Sequence, residues 1–195
     1  MQKMFKNSKS FNTIVLSLAM ASTIFFNSCK SDHDDHDHNH SDQELITTVR
    51  LTYTNTNNVS EKVVATYKDL DGAGGAAPVI DNLRLKPNTS YSVMTEVLND
   101  SKNPSENITA EILAKGTEHQ FFYTISPAAL LAITYTDKDS KNLPIGLATA
   151  QRTGAAGTGT LRVTLKHQTN NSKTATSTIN TGATDIDVTF PLRVE

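Results

Sequence analysis

A single cysteine, Cys29, leaves the chain without an internal disulfide, so whatever fold it adopts must be held by core burial alone. Tryptophan is absent, and aromatic residues make up only 6% of the 195 positions. Catalytic signatures are lacking as well. There is no GxSxG elbow, no HExxH helix and no GxxxxGK-S/T loop, and the one thiol sits beside a leader-like segment, so the chain reads as a non-enzyme. Nor is there an excess of positive charge, with 18 basic against 20 acidic side chains. Residues 45–195 hold 14 of each, which removes the main attraction for a nucleic-acid partner. The length and a 37% hydrophobic content fit one compact domain with extensions and exclude a large multidomain enzyme.

What the chain does contain begins with an address. Lys3, Lys6 and Lys9 precede the apolar stretch Phe11–Phe26, the charged and hydrophobic regions of a secretory signal. That stretch would make about 24 Å of helix, short of the ~30 Å hydrocarbon core, and Asn12, Ser17 and Ser22 interrupt it, which disfavours a permanent transmembrane anchor. Cys29 follows immediately, and Ser28-Cys29 resembles the lipobox of bacterial lipoproteins, although Phe26 and Asn27 depart from the usual Leu-(Ala/Ser)-(Gly/Ala)-Cys pattern. The resemblance implies cleavage of residues 1–28, a diacylglycerol thioether on Cys29 and attachment to a membrane through that lipid.

Residues 29–44 form a second region. Lys30–Glu44 holds one base and six acids, and its centre reads DHDDHDHNH from Asp32 to His40. His33, His36, His38 and His40 alternate with Asp34, Asp35 and Asp37, and imidazole with carboxylate is a ligand set for zinc or copper. With no apolar residue to fix them, such ligands would bind weakly and exchangeably, and uptake would fade below about pH 6 as imidazole protonates. The competing reading is a solvated acidic spacer. Acidic runs at this place resemble the surface-export tethers of some Gram-negative lipoproteins, implying an outer-membrane, surface-exposed location.

Residues 45–195 are expected to fold as a mainly β domain, an antiparallel Ig-like or Greek-key sandwich of about nine strands with one short helix. Twenty-five threonines in this region, with β-branched and aromatic residues in short alternating runs, support it. Ile186, Val188, Phe190, Leu192 and Val194 alternate with Asp185, Asp187, Thr189, Pro191 and Arg193; Leu161, Val163 and Leu165 make a second such run, and Val49, Leu51 and Tyr53 a third. Other strands are expected over 62–69, 79–85, 91–98, 119–125, 130–137 and 145–152. The helix is expected over Ser105–Lys115, with Ser105 as cap, Ile108, Ile112 and Leu113 on one side, and Gly116 as terminator. Gly154, Gly157 and Gly159 read as a hairpin loop. The runs Thr66–Asp71 and Thr134–Asp139 share Thr-Tyr-x-Asp-x-Asp, either a faint duplication or two strands ending in acidic turns.

Two places in this domain carry ligand chemistry. Asp69 and Asp71 stand in a DxDGxGG loop, with Asp137 and Asp139 in a poorer companion, and paired carboxylates on a bent loop suit calcium; a plain turn needs the same residues. His119 lies on the side of Phe121, Tyr123 and Ile125, and His167 continues Leu161, Val163 and Leu165. If those strand ends meet, His119 and His167 with Glu118 or Glu111 give a two- to three-ligand metal site; otherwise each imidazole simply bonds a carbonyl.

The His/Asp tether, the DxDG loop, the segment Glu118-His119-Gln120-Phe121 and the Gly-Thr-rich stretch together resemble a group of small bacterial envelope lipoproteins. Its members are often labelled type 1 periplasmic binding fold, a label that implies two α/β lobes, against which the Thr-rich strands and short length here argue. The resemblance implies an accessory role beside an outer-membrane metal-uptake receptor. The expected function is binding of a divalent metal, zinc or copper. The alternative is a structural or adhesive surface module, calcium-stabilised, with the tether only a spacer.

Overall fold

A computed structural model describes residues 45–72 and 74–195; the expected leader, Cys29 and the His/Asp tether lie outside the described residues. The domain is a mainly β sandwich of two sheets. The larger is ordered β3 (Val79–Ile80), β2 (Lys62–Lys68), β1 (Thr48–Asn55), β5 (Ser90–Asn99), β9 (Ala148–Thr153) and β8 (Leu131–Tyr135), with β6 (Glu106–Asn107) pairing the end of β5. The smaller is ordered β4 (Leu83–Leu85), β11 (Ala183–Val194), β10 (Gly157–His167) and β7 (His119–Ser126). Every pairing is antiparallel except β4 with β11.

Alternation explains the core. Val49, Leu51 and Tyr53 on β1 and Tyr91, Val93 and Val97 on β5 face Leu161, Val163 and Leu165 on β10 and Val188, Phe190, Leu192 and Val194 on β11, in one buried cluster. Each such side chain contributes about 1.5–3 kcal/mol relative to exposure, which is how a domain without disulfides holds together. Among the polar groups inside, the Tyr53 hydroxyl donates to Gln151 Oε1 at 2.9 Å.

Three expectations need correction. The strand expected over 79–85 is two strands in different sheets. Asp81 bends the chain between them, its Oδ2 accepting the Thr66 amide at 2.9 Å while its own amide bonds the Thr66 carbonyl. The helix α1 spans only Ile108–Ala114 and carries the chain from the larger to the smaller sheet. It buries Ile108 and Ile112 but leaves Leu113 58% exposed, and Ser105 bonds Asp100 instead of capping. Gly154, Gly157 and Gly159 make no hairpin, because β9 and β10 lie in different sheets. Glycine is needed there for close passage. A Cβ on Gly154 would lie 2.2 Å from the Ala129 carbonyl oxygen, and one on Gly159 2.1 Å from that of Ser126.

Candidate metal centre

The end of the smaller sheet brings three ligand-bearing side chains together. His119 opens β7 and His167 closes β10, and the two are direct cross-strand partners in the last rung of that ladder. Both follow the parity of the core-facing residues, so their rings emerge side by side at the sheet's end. The ring centroids are 4.4 Å apart with planes 13° from parallel.

The third residue is Asp185, which sequence alternation places with the outward polar residues. A β-bulge moves it. The β10–β11 register passes from Leu165 opposite Ile186 to Lys166 opposite Thr184, leaving Asp185 as the extra residue. Bulges bend the strand and re-aim the side chain they carry. Here the Asp185 carboxylate turns toward the histidines, with Oδ2 3.6 Å from His119 Nε2 and both side chains only 9% exposed. One ligand atom from each of His119, His167 and Asp185 lies within 4.8 Å of the others.

The protonation pattern favours a cation. His119 Nδ1 lies 3.1 Å from the Lys115 carbonyl oxygen, in the turn between α1 and β7. A carbonyl can only accept, so the proton of the neutral ring is assigned to Nδ1 and the lone pair to Nε2, the atom facing Asp185. Burial lowers the His119 pKa from its ordinary value, and the neighbouring His167 adds to the effect, outweighing the Lys115 carbonyl. Burial thereby favours the neutral ring, the form that ligates. His167 Nε2 is shielded from solvent and makes no hydrogen bond among the described residues. Glu118 Oε2 stands 3.7 Å from it on a more exposed carboxylate, in reach as a fourth donor. Four-coordinate zinc with bonds of about 2.0–2.1 Å spaces its ligands about 3.3 Å apart, and an imidazole lone pair lies in its ring plane, so the two stacked rings would have to rotate and converge before both could meet one ion.

The other carboxylates go elsewhere. Glu111 pairs with Lys115 along the helix. Asp69 Oδ1 accepts the Gly72 amide at 2.9 Å and Asp71 Oδ2 the Ala76 amide at 2.8 Å. Asp137 receives the amides of Gly146 and Ala148, and Asp139 those of Lys141 and Leu143. These are side chains shaping their own loops, as aspartates in turns do. Asp139 has a second partner, the buried ammonium of Lys173 at 2.9 Å. Neither the turn of Asp185 toward the histidines nor the burial of Lys173 was legible in the sequence. A bulge is defined by the partner strand's register, and Lys173 stands in the unpatterned segment TNNSKTATSTINTG.

His33, His36, His38, His40, Asp34, Asp35, Asp37 and Cys29 lie outside the described residues. Among the described residues, no helix is long and apolar enough to cross a membrane. Comparison with protein-family models, with curated proteins and with solved structures finds no match to this chain.

Proposed function

We propose that this chain is a lipid-anchored binding protein of the bacterial cell envelope that takes up a divalent transition metal, zinc or copper. His119, His167 and Asp185 hold the ion, with Glu118 completing the set, and the His33–His40 tether adds weaker, exchangeable capacity. The observation that carries this reading is the orientation of His119. Its Nδ1 is engaged by a carbonyl, and its Nε2 meets Asp185 beside the shielded, unbonded Nε2 of His167. Imidazole nitrogens with a carboxylate suit zinc and copper, whereas calcium and magnesium prefer oxygen alone. In this role the protein serves an outer-membrane uptake receptor, and Cys29 supplies the membrane attachment.

A second reading, a structural or adhesive surface module, draws on the outer face of the larger sheet. Val64 and Met94 flank Thr52 in one register row there, and each is 50% exposed. Thermal melts of residues 45–195 with zinc, copper, calcium or chelator separate the two. Zinc or copper is expected to raise the melting temperature, and His119→Ala to abolish the rise. A calcium shift removed by Asp69→Ala would favour the second reading, and no shift with any metal would refute the fixed metal centre.

A further inference from the structure

The β10–β11 connection is long and polar, yet one of its side chains is entirely out of water. Lys173 is 0% exposed, and the Asp139 side chain beside it is 1% exposed. The ammonium donates to the carbonyls of Gly116 at 2.6 Å and His119 at 2.9 Å, with Asp139 Oδ2 as its counter-charge at 2.9 Å. Asp139 is itself oriented through Oδ1, which accepts the amides of Lys141 and Leu143. Burying a charge pair carries a desolvation cost of several kcal/mol per ion in general, and an apolar pair of similar volume often serves a core as well. An apolar pair cannot donate directionally to two carbonyls on the turn that delivers His119. His119 is thus held twice, its ring by the Lys115 carbonyl and its backbone by Lys173.

We propose that Lys173 is a positioning residue of the metal centre. By clamping the carbonyls of Gly116 and His119, it sets the height of the His119 ring against His167 and Asp185. The proposal rests on the metal reading above and extends it. Lys173 does not touch the ion; it acts through the His119 backbone, and Asp139 neutralises the ammonium that would otherwise repel an incoming cation. The β10–β11 connection thereby becomes part of the site, since only by packing against the turn and the Asp139 loop does it bring Lys173 there.

The test uses the full-length protein in detergent, with zinc titrated while the imidazole nitrogen signals of His119 and His167 are followed by NMR, which separates this site from the tether. Lys173→Met is expected to lower zinc affinity at these two histidines by about 10–100-fold, the usual loss when a group supporting a metal ligand is removed. Because that variant strands Asp139, Lys173→Met is also combined with Asp139→Asn, which keeps the acceptor for Lys141 and Leu143 and removes the unpaired charge. The double variant should regain much of the melting temperature lost by the single one while zinc affinity stays low. Affinity recovering together with the melting temperature would show a merely structural pair and overturn the proposal. Zinc-free spectra supply a separate readout. Wild type should show one His119 tautomer, protonated at Nδ1, and the double variant a mixture. If wild type takes up no zinc at these histidines, the metal reading falls, and an unchanged tautomer in the double variant would then overturn the role of Lys173 on its own.

Discussion

Replacing Asp185 by Asn keeps the shape of the side chain and removes only its charge, so it asks whether the bulge delivers a ligand. Asp185 Oδ2 and His119 Nε2 are 3.6 Å apart, within about 0.3 Å of the spacing between two ligands of tetrahedral zinc. The larger movement is the convergence of the two stacked rings, and an adjustment of ~30° in a side-chain torsion costs only about 0.5–1.5 kcal/mol. At zinc a hundredfold above the dissociation constant, binding stabilises the native state by about 2.7 kcal/mol. For a domain of this size that raises the melting temperature by about 5–11 °C. Loss of a direct ligand should weaken binding by at least the ~10–100-fold typical of supporting groups, leaving about 0.4–1.4 kcal/mol, or about 1–6 °C, at the same zinc concentration. The assay is a pair of melts, with zinc and with chelator, for wild type and Asp185→Asn, so that any change in the zinc-free fold cancels. A zinc shift in Asp185→Asn equal to that of wild type would refute Asp185 as a ligand and with it the functional meaning given to the bulge.

Stability should also depend on pH through His119. Its folded pKa is lowered, so between the unfolded value of about 6.5 and the folded one the unfolded chain binds more protons, and stability rises with pH. Zinc-free protein acidified from pH 7 toward 5 should therefore lose denaturant resistance, and His119→Gln should flatten that slope; an unchanged slope would contradict the assignment. Lowered carboxylates such as Asp100 and Asp187 act with the same sign but nearer pH 4 and below. At the other end of the chain, Cys29→Ser should abolish palmitate labelling and membrane retention, and a variant that still labels would remove the lipoprotein reading.

The parts of this fold that could be read from sequence are those governed by two-residue periodicity. Leu161, Val163 and Leu165, and Ile186 through Val194, lie where alternation puts them, and the same count put His119 and His167 each at the end of an apolar strand face, although only the β7–β10 pairing shows that the two ends meet. What could not be read depends on which strand lies alongside. Val79–Leu85 looks continuous because nothing local says that its halves pair with different sheets. The glycines at 154–159 suggest a tight turn because close passage under Ala129 and Ser126 makes the same demand as a turn. Leu113 fits a helical spacing, but a helix of seven residues buries little more than one stripe. Lys173 carries no pattern, since its burial follows from the carbonyls it meets.

The extra residue at Asp185 also separates two heritable properties of the strand. Alternation is a two-beat count, and β11 keeps one count from Ile186 onward and another before it. The letter at position 185 decides whether a carboxylate is available, and the number of residues between Ala183 and Ile186 decides which way it faces. Substitution changes the first without the second; a one-residue deletion changes the second while leaving Ile186, Val188 and Phe190 in their places. A related chain could therefore keep the sandwich, both histidines and every other recognisable feature, and differ in the site only by being one residue shorter. For chains of this kind, strand length decides which way a carboxylate faces, as residue identity decides whether one is there.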